Sequence, residues 1–208
     1  MPSVKSTRAH QLGVLISGRG SNLQSIIDAI GRGELDARIA VVISNRSDAA
    51  GLVRAREAGI DAVHLDPKRH ADRLSYDRAV VDRLCQHGVD LVCLAGFMRL
   101  IGPPLLDAFP ERILNIHPSL LPSFPGLEAQ RQALDHGVRV SGATVHLVTA
   151  ELDDGPIVVQ AAVPVLDTDT VDSLSARILA EEHRLYPEGI RLVLDGGWRV
   201  ESRRFVRV

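Results

Sequence analysis

Short apolar runs alternate with longer segments of helical periodicity along much of the chain. Leu12–Ile16, Ile39–Ile43, Ala62–Leu65, Asp90–Ala95 and Ile113–His117 each read as a strand, and none alternates with polar residues. Strands of that kind belong to a parallel sheet covered on both faces. Between them, Ser21–Arg32 sets Leu23, Ile26, Ile27 and Ile30 at helical spacing, and two further helices near Ala49–Ala58 and Leu74–His87 stop at Gly59 and Gly88. Repeated strand–helix order predicts one doubly wound α/β domain with a mostly parallel sheet.

The pattern changes after residue 120. The Pro-rich turn Leu121–Gly126 precedes a short helix over Ala129–His136, and Val140–Val148 and Ile157–Val163 read as two strands around a turn-rich loop, Glu151–Gly155. That arrangement adds an antiparallel strand pair to the parallel core. Val171–Leu194 is a long amphipathic C-terminal helix, interrupted or bent at Pro187 and ended by Gly196-Gly197. Residues 1–10 are polar, lack the apolar core of a signal peptide and read as a flexible tail, leaving 11–208 as the domain.

Composition narrows the partners. The 208 residues are 45% hydrophobic with a formal net charge of −2. No basic excess or basic aromatic cluster points to nucleic acid. No apolar run approaches the roughly 18 residues that span a bilayer. Cys85 and Cys93 read as buried free thiols, as in a reducing cytoplasm. The eight histidines show no metal-ligand spacing. Aromatics make up only 3% of the chain, so a flat ligand must be held largely by backbone and aliphatic groups.

Candidate chemistry concentrates in three places. In Asn115-Ile116-His117-Pro118, Pro118 keeps His117 extended, so alternation puts Asn115 and His117 on one face of a strand end. An amide donor beside an imidazole suits a reaction in which an oxyanion forms while a proton moves. The second place is Ser17-Gly18-Arg19-Gly20-Ser21-Asn22-Leu23, between the first strand and its helix. Glycines that free backbone amides, next to a helix start, make an anion site. Leu23 stands where a dinucleotide fingerprint has its third glycine, and Ser44-Asn45-Arg46 supplies no acid for a ribose hydroxyl. A phosphate monoester therefore fits better than a nicotinamide cofactor. The third is Asp153-Asp154-Gly155, where Asp154 reads as solvated and Asp153 matters only if the loop folds back on His117. A carboxylate there favours the imidazolium and orients the ring.

Beyond these readings, Ile16–Leu23, Leu94–Arg99, Asn115–Pro122 and Glu151–Pro156 resemble the folate-dependent phosphoribosylglycinamide formyltransferases of purine biosynthesis, over about Leu12 to Leu194. The resemblance implies a Rossmann-like formyltransferase fold, 10-formyltetrahydrofolate as formyl donor, 5-phosphoribosylglycinamide as acceptor, and no metal. It implies Asn115, His117 and Asp153 as catalytic residues. Gly20, Ser21, Asn22 and Glu182 would bind the ribonucleotide. The folate would lie against Arg73, Met98, Arg99, Leu100, Ile101, Asn115, Thr149, Ala150, Glu151, Leu152 and Asp153. Leu179 and Asp154 depart from residues common in relatives, a polar side chain and a glycine respectively. A homodimer follows by analogy alone. Competing readings are a formyltetrahydrofolate hydrolase, which usually has an added N-terminal domain, and a non-catalytic folate- or nucleotide-binding module.

Overall fold

The computed structural model describes residues 9–208. The tail expected over 1–10 lies outside the described residues except at its end, where His10 already opens the first strand. Five parallel strands form the core of the sheet: β1 (His10–Ile16), β2 (Ala37–Ser44), β3 (Ala62–His64), β4 (Leu91–Leu94) and β5 (Ile113–His117). Two antiparallel strands extend it, β6 (Val140–Leu147) and β7 (Ile157–Pro164). A hairpin of β8 (Trp198–Glu201) and β9 (Arg204–Arg207) completes a nine-stranded sheet in the order β3-β2-β1-β4-β5-β6-β7-β9-β8.

Alternation in the strands sorts side chains into two cores. Leu12, Val14 and Ile16 of β1 and Leu114 and Ile116 of β5 pack with Leu23 and Ile26 of α1 (Ser21–Gly31), Leu52 of α2 (Ala50–Glu57) and Ile178, Leu185 and Ile190 of a long C-terminal helix. On the opposite face, Leu15, Val41 and Ile113 pack with Tyr76, Val80 and Leu84 of α3 (Arg73–Gln86) and Leu105 of α4 (Pro103–Ala108). A short helix α5 (Ala129–Asp135) follows β5, and α6 (Val171–Leu194) ends the helical part. Burying one fully enclosed leucine or isoleucine contributes about 1.5–3 kcal/mol, so both faces bind their helices firmly.

Four expectations need correction. The helix α6 runs unbroken through Pro187, so the proline costs it a backbone donor without ending it. Cys85 is exposed on α3, and only Cys93 is buried. The helix α4 was not among the expected elements; its proline at the first helical position is tolerated, since that N–H has no intrahelical partner. The β8–β9 hairpin, too short and too charged for a clear pattern, also adds to the predicted sheet.

Candidate active site

The C-terminal edge of the parallel strands carries two clefts that meet at β5. The first has a volume of about 760 Å³ and is lined by Gly18, Gly20, Ser21, Asn22, Leu179 and Glu182, among others. The helices α3 and α6 are closed at their starts by reciprocal capping boxes, Asp72 with Ser75 and Thr170 with Ser173. In contrast, α1 has no side-chain cap. Its first intrahelical bond is Gln24 N–H to Gly20 O at 3.0 Å, which leaves the amides of Ser21, Asn22 and Leu23 outside the ladder, with the positive end of the helix dipole behind them. Gly20 makes this opening possible. Its φ is 73°, and a Cβ there would lie 2.6 Å from Gly51 Cα of α2.

Two buried groups complete this cleft. Asn22 Nδ2 donates to Glu182 Oε2 at 2.8 Å, while Asn22 Oδ1 is buried without a partner. Burial raises the pKa of Glu182, partly offset by the Asn22 N–H. An acceptor on Asn22 and a carboxylate on Glu182 together call for ligand donors such as hydroxyls or an amine. Ser17, not singled out from the sequence, ties the region together. Its hydroxyl donates to Asn45 Oδ1 at 2.6 Å and accepts from Met98 N at 2.8 Å.

At the junction, register decides who meets whom. Asn115 of β5 lies directly opposite His146 of β6, so the two side chains share a face. A bulge in the β6–β7 pairing falls at Val145/His146, a common device for re-aiming a side chain beside a site. Asn115 Nδ2 lies 3.1 Å from His146 Nε2 and 3.5 Å from Asp153 Oδ1. The loop between β6 and β7 does return: Asp153 Oδ2 stands 3.4 Å from His117 Nδ1 and accepts from Gly126 N at 2.8 Å. His117 Nε2 lies 2.9 Å from the Phe124 carbonyl, so that nitrogen carries a proton and Nδ1 is the one left to exchange. His146 Nδ1 lies 2.9 Å from Leu147 O, and its Nε2 faces both Asn115 Nδ2 at 3.1 Å and Asp153 Oδ1 at 3.6 Å.

Burial shapes both charged partners. It lowers the His117 pKa, against the Phe124 carbonyl and Asp153, which raise it. Burial also pushes the Asp153 carboxyl up, but His146, the Gly126 N–H and His117 outweigh it and hold the pKa below the usual carboxylate range. Asp153 therefore sits ionised beside a neutral imidazole at neutral pH. Neither Gly126 nor Phe124 was recognisable from the sequence, because their backbone groups contribute, not their side chains.

The second cleft, of about 400 Å³, opens on the other side of Asn115 and holds Arg73, Arg99, Leu100, Ile101 and the 149–153 loop. Met98 stands apart from these and lines the first cleft and the junction instead. The 97–101 segment is anchored from below. Arg99 lies over the Tyr76 ring with 4.7 Å from Cζ to the centroid, and Gly102 N donates to Asp77 Oδ2 at 3.0 Å. Burial pushes the Tyr76 hydroxyl up to about 12, so it stays neutral beneath the guanidinium. Asp154, expected to be solvated, has a partly exposed side chain and also forms a bidentate pair with Arg203. Among the described residues no cluster of three or more His, Cys, Asp or Glu side chains is placed to hold a metal, and no helix is long and apolar enough to cross a membrane.

A family model described as formyl transferase matches residues 10–190, and the chain belongs to that family. It is 46% identical over 183 residues to the phosphoribosylglycinamide formyltransferase of Escherichia coli (strain K12), covering 88% of this chain and 86% of that protein. The crystal structure of glycinamide ribonucleotide transformylase 1 from Symbiobacterium toebii superposes with a TM-score of 0.96 at 60% identity, covering 98% of this chain and 96% of that one. A formyltetrahydrofolate deformylase from Pseudomonas syringae pv. tomato is also similar, with a TM-score of 0.86 at 31% identity, over 97% of this chain and 66% of that one.

Proposed function

We propose that this formyltransferase moves the formyl group of 10-formyltetrahydrofolate to the amine of 5-phosphoribosylglycinamide, a step of purine biosynthesis. The observation that carries the reading is the Asn115, His117 and Asp153 cluster at the meeting point of two clefts. One cleft presents free helix amides to a phosphate, and the other offers apolar walls and loop backbone to a flat ring system. The ribonucleotide phosphate binds at Gly20, Ser21 and Asn22, and Glu182 with Asn22 meets the sugar hydroxyls or amine. The folate occupies the cleft between the 97–101 and 149–153 segments.

The uncharged amine attacks the formyl carbon, and the carbonyl oxygen becomes an oxyanion. Asn115 Nδ2 has one hydrogen committed to His146 and another held only by the 3.5 Å contact to Asp153. That second N–H turns to the oxyanion, an interaction of about 3–4 kcal/mol. The nitrogen that attacked must lose a proton, and the folate nitrogen must gain one as its bond to carbon breaks. His117 takes the proton at Nδ1, where Asp153 stabilises the imidazolium, and the pair returns it to the leaving nitrogen directly or through water. No covalent enzyme intermediate is required. The reading carries with it one domain over residues 11–208, a cytoplasmic location and a homodimer.

Transfer and hydrolysis are separated by one assay. Purified protein with both substrates should yield formylated ribonucleotide, and folate alone should give little formate. Rapid formate release that ignores the amine would identify a hydrolase instead. Binding of both ligands without any formyl product would make the chain a binding module.

A further inference from the structure

We propose that Arg203, at the tip of the C-terminal hairpin, is a positioning residue for Asp153 and acts by gripping Asp154. This rests on the catalytic reading of Asp153 given above. The loop between β6 and β7 sends two adjacent carboxylates to opposite sides. Asp153 turns inward to Gly126 and His117 with a left-handed φ of 50°, a conformation uncommon for residues with a side chain and more accessible to Asp than to most. Asp154 turns outward, where the Arg203 guanidinium holds both its oxygens, Nη2 to Oδ1 at 2.6 Å.

The rest of the loop shows why that grip matters. Its exit is fixed, because Gly155 packs so close to β6 that an added Cβ would lie 1.8 Å from Leu147 O. Its apex is loose: Leu152 is 57% exposed, and Thr149 Oγ1 reaches Glu151 O at only 3.4 Å. Asp153 and Asp154 lie between these two. The hairpin meets the sheet through a single paired position, Ile157 with Arg204. Trp198, Val200 and Phe205 pack the hairpin against the main core, and a cavity of about 290 Å³ is lined by Val200 and Ser202 of the hairpin segment and Thr149, Ala150 and Pro156 of the loop. The ion pair thus ties the loop to a hairpin that is itself anchored on the core. Without that grip the turn at Asp153 and Asp154 is free to shift and carry Asp153 away from His117.

Steady-state formyl transfer by Arg203→Ala, Asp154→Ala, the double variant and Arg203→Lys tests the proposal. Each single alanine variant should lower kcat about two- to fivefold, the range an exposed ion pair can supply. KM for the ribonucleotide should not change. The double variant should be no slower than either single one, because both act through one contact. Lysine should restore turnover only in part, lacking the planar fork. The ratio of wild-type to variant kcat should shrink as salt rises, since the pair is exposed and screened. Trp198, the only tryptophan, stacks on Phe205 across the hairpin, so its fluorescence reports whether that element is intact. If Arg203→Ala loses this signal, Asp154→Ala decides alone. Unchanged kcat in Asp154→Ala, or effects that multiply in the double variant, overturns the clamp. If Asp153→Asn itself turns over normally, the catalytic reading fails instead.

Discussion

The two clefts are built by opposite means. The cleft proposed for the ribonucleotide takes its groups from elements locked into the core: the start of α1, the buried Asn22–Glu182 pair and Gly20 pressed against α2. The cleft proposed for folate is mostly loop, with Leu100 and Leu152 each 57% exposed around its mouth. A phosphate is recognised by the direction of a few N–H bonds, and rigid secondary structure fixes direction best. A broad, flat ligand is recognised by area, which side chains on loops supply by folding over it. On the proposed assignment the first half is preformed, and the second would be completed by its ligand.

If the halves are separate in this way, damage at the junction should stop chemistry and leave ribonucleotide binding alone. Asn115→Ala removes the oxyanion donor and should lower kcat by roughly 10²–10³. The dissociation constant for the ribonucleotide, measured by calorimetry, should stay within about twofold of wild type. A parallel loss of that affinity would mean that the junction and the phosphate cleft are one cooperative unit.

The next largest effect tests the rigid half directly. Gly20→Ala forces a side chain into a left-handed conformation and against Gly51 Cα at 2.6 Å. It should cost about 1–3 kcal/mol of stability in denaturant unfolding and weaken ribonucleotide binding, while folate binding to the folded fraction stays unchanged. Full ribonucleotide affinity in a normally folded variant would show that the α1 amides are not the anchor.

Leu152→Ser probes the loop half. Losing part of the area that this side chain would bury under a folate costs about 1 kcal/mol, a roughly fivefold rise in folate KM with ribonucleotide KM unchanged. An unaltered folate KM would mean that Leu152 stays in solvent throughout the reaction.

The same division explains what the sequence discloses. The parallel strands are visible because both their faces are buried and their apolar runs are unbroken, as in Leu12–Ile16 and Ile39–Ile43. The candidate anion site could be picked out because glycines there free backbone amides beside a helix start. Asn115 and His117 can be placed on one face by alternation alone. The return of Asp153 could not be derived in that way, since it rests on the Gly126 amide and an unusual φ, and the neighbouring Asp154 pairs with Arg203 in a hairpin 49 residues further along. Those four-residue strands carry charges at Arg199, Glu201, Arg204 and Arg207, so their apolar contacts at Trp198 and Phe205 are too few to form a pattern.

The subtlest expected effect lies inside the junction and concerns the sign of a titration. In the folded protein burial lowers the His117 pKa, and Asp153 is one of the groups opposing that shift. Asp153→Asn removes a negative charge 3.4 Å from Nδ1 and leaves the burial in place, so His117 should titrate at still lower pH. Thermal melting would blur this result. His117 and Asp153 both have depressed folded-state pKa values, so each contributes stability present above its unfolded pKa and lost as pH falls through the folded one. The variant deepens the first loss and abolishes the second, and the two changes oppose each other. The imidazole proton resonance of His117, followed by NMR from neutral to acid pH, reports the histidine alone. A midpoint that rises or does not move would mean that Asp153 does not sense the imidazole charge, and the proton path from the amine to the folate nitrogen would have to run elsewhere.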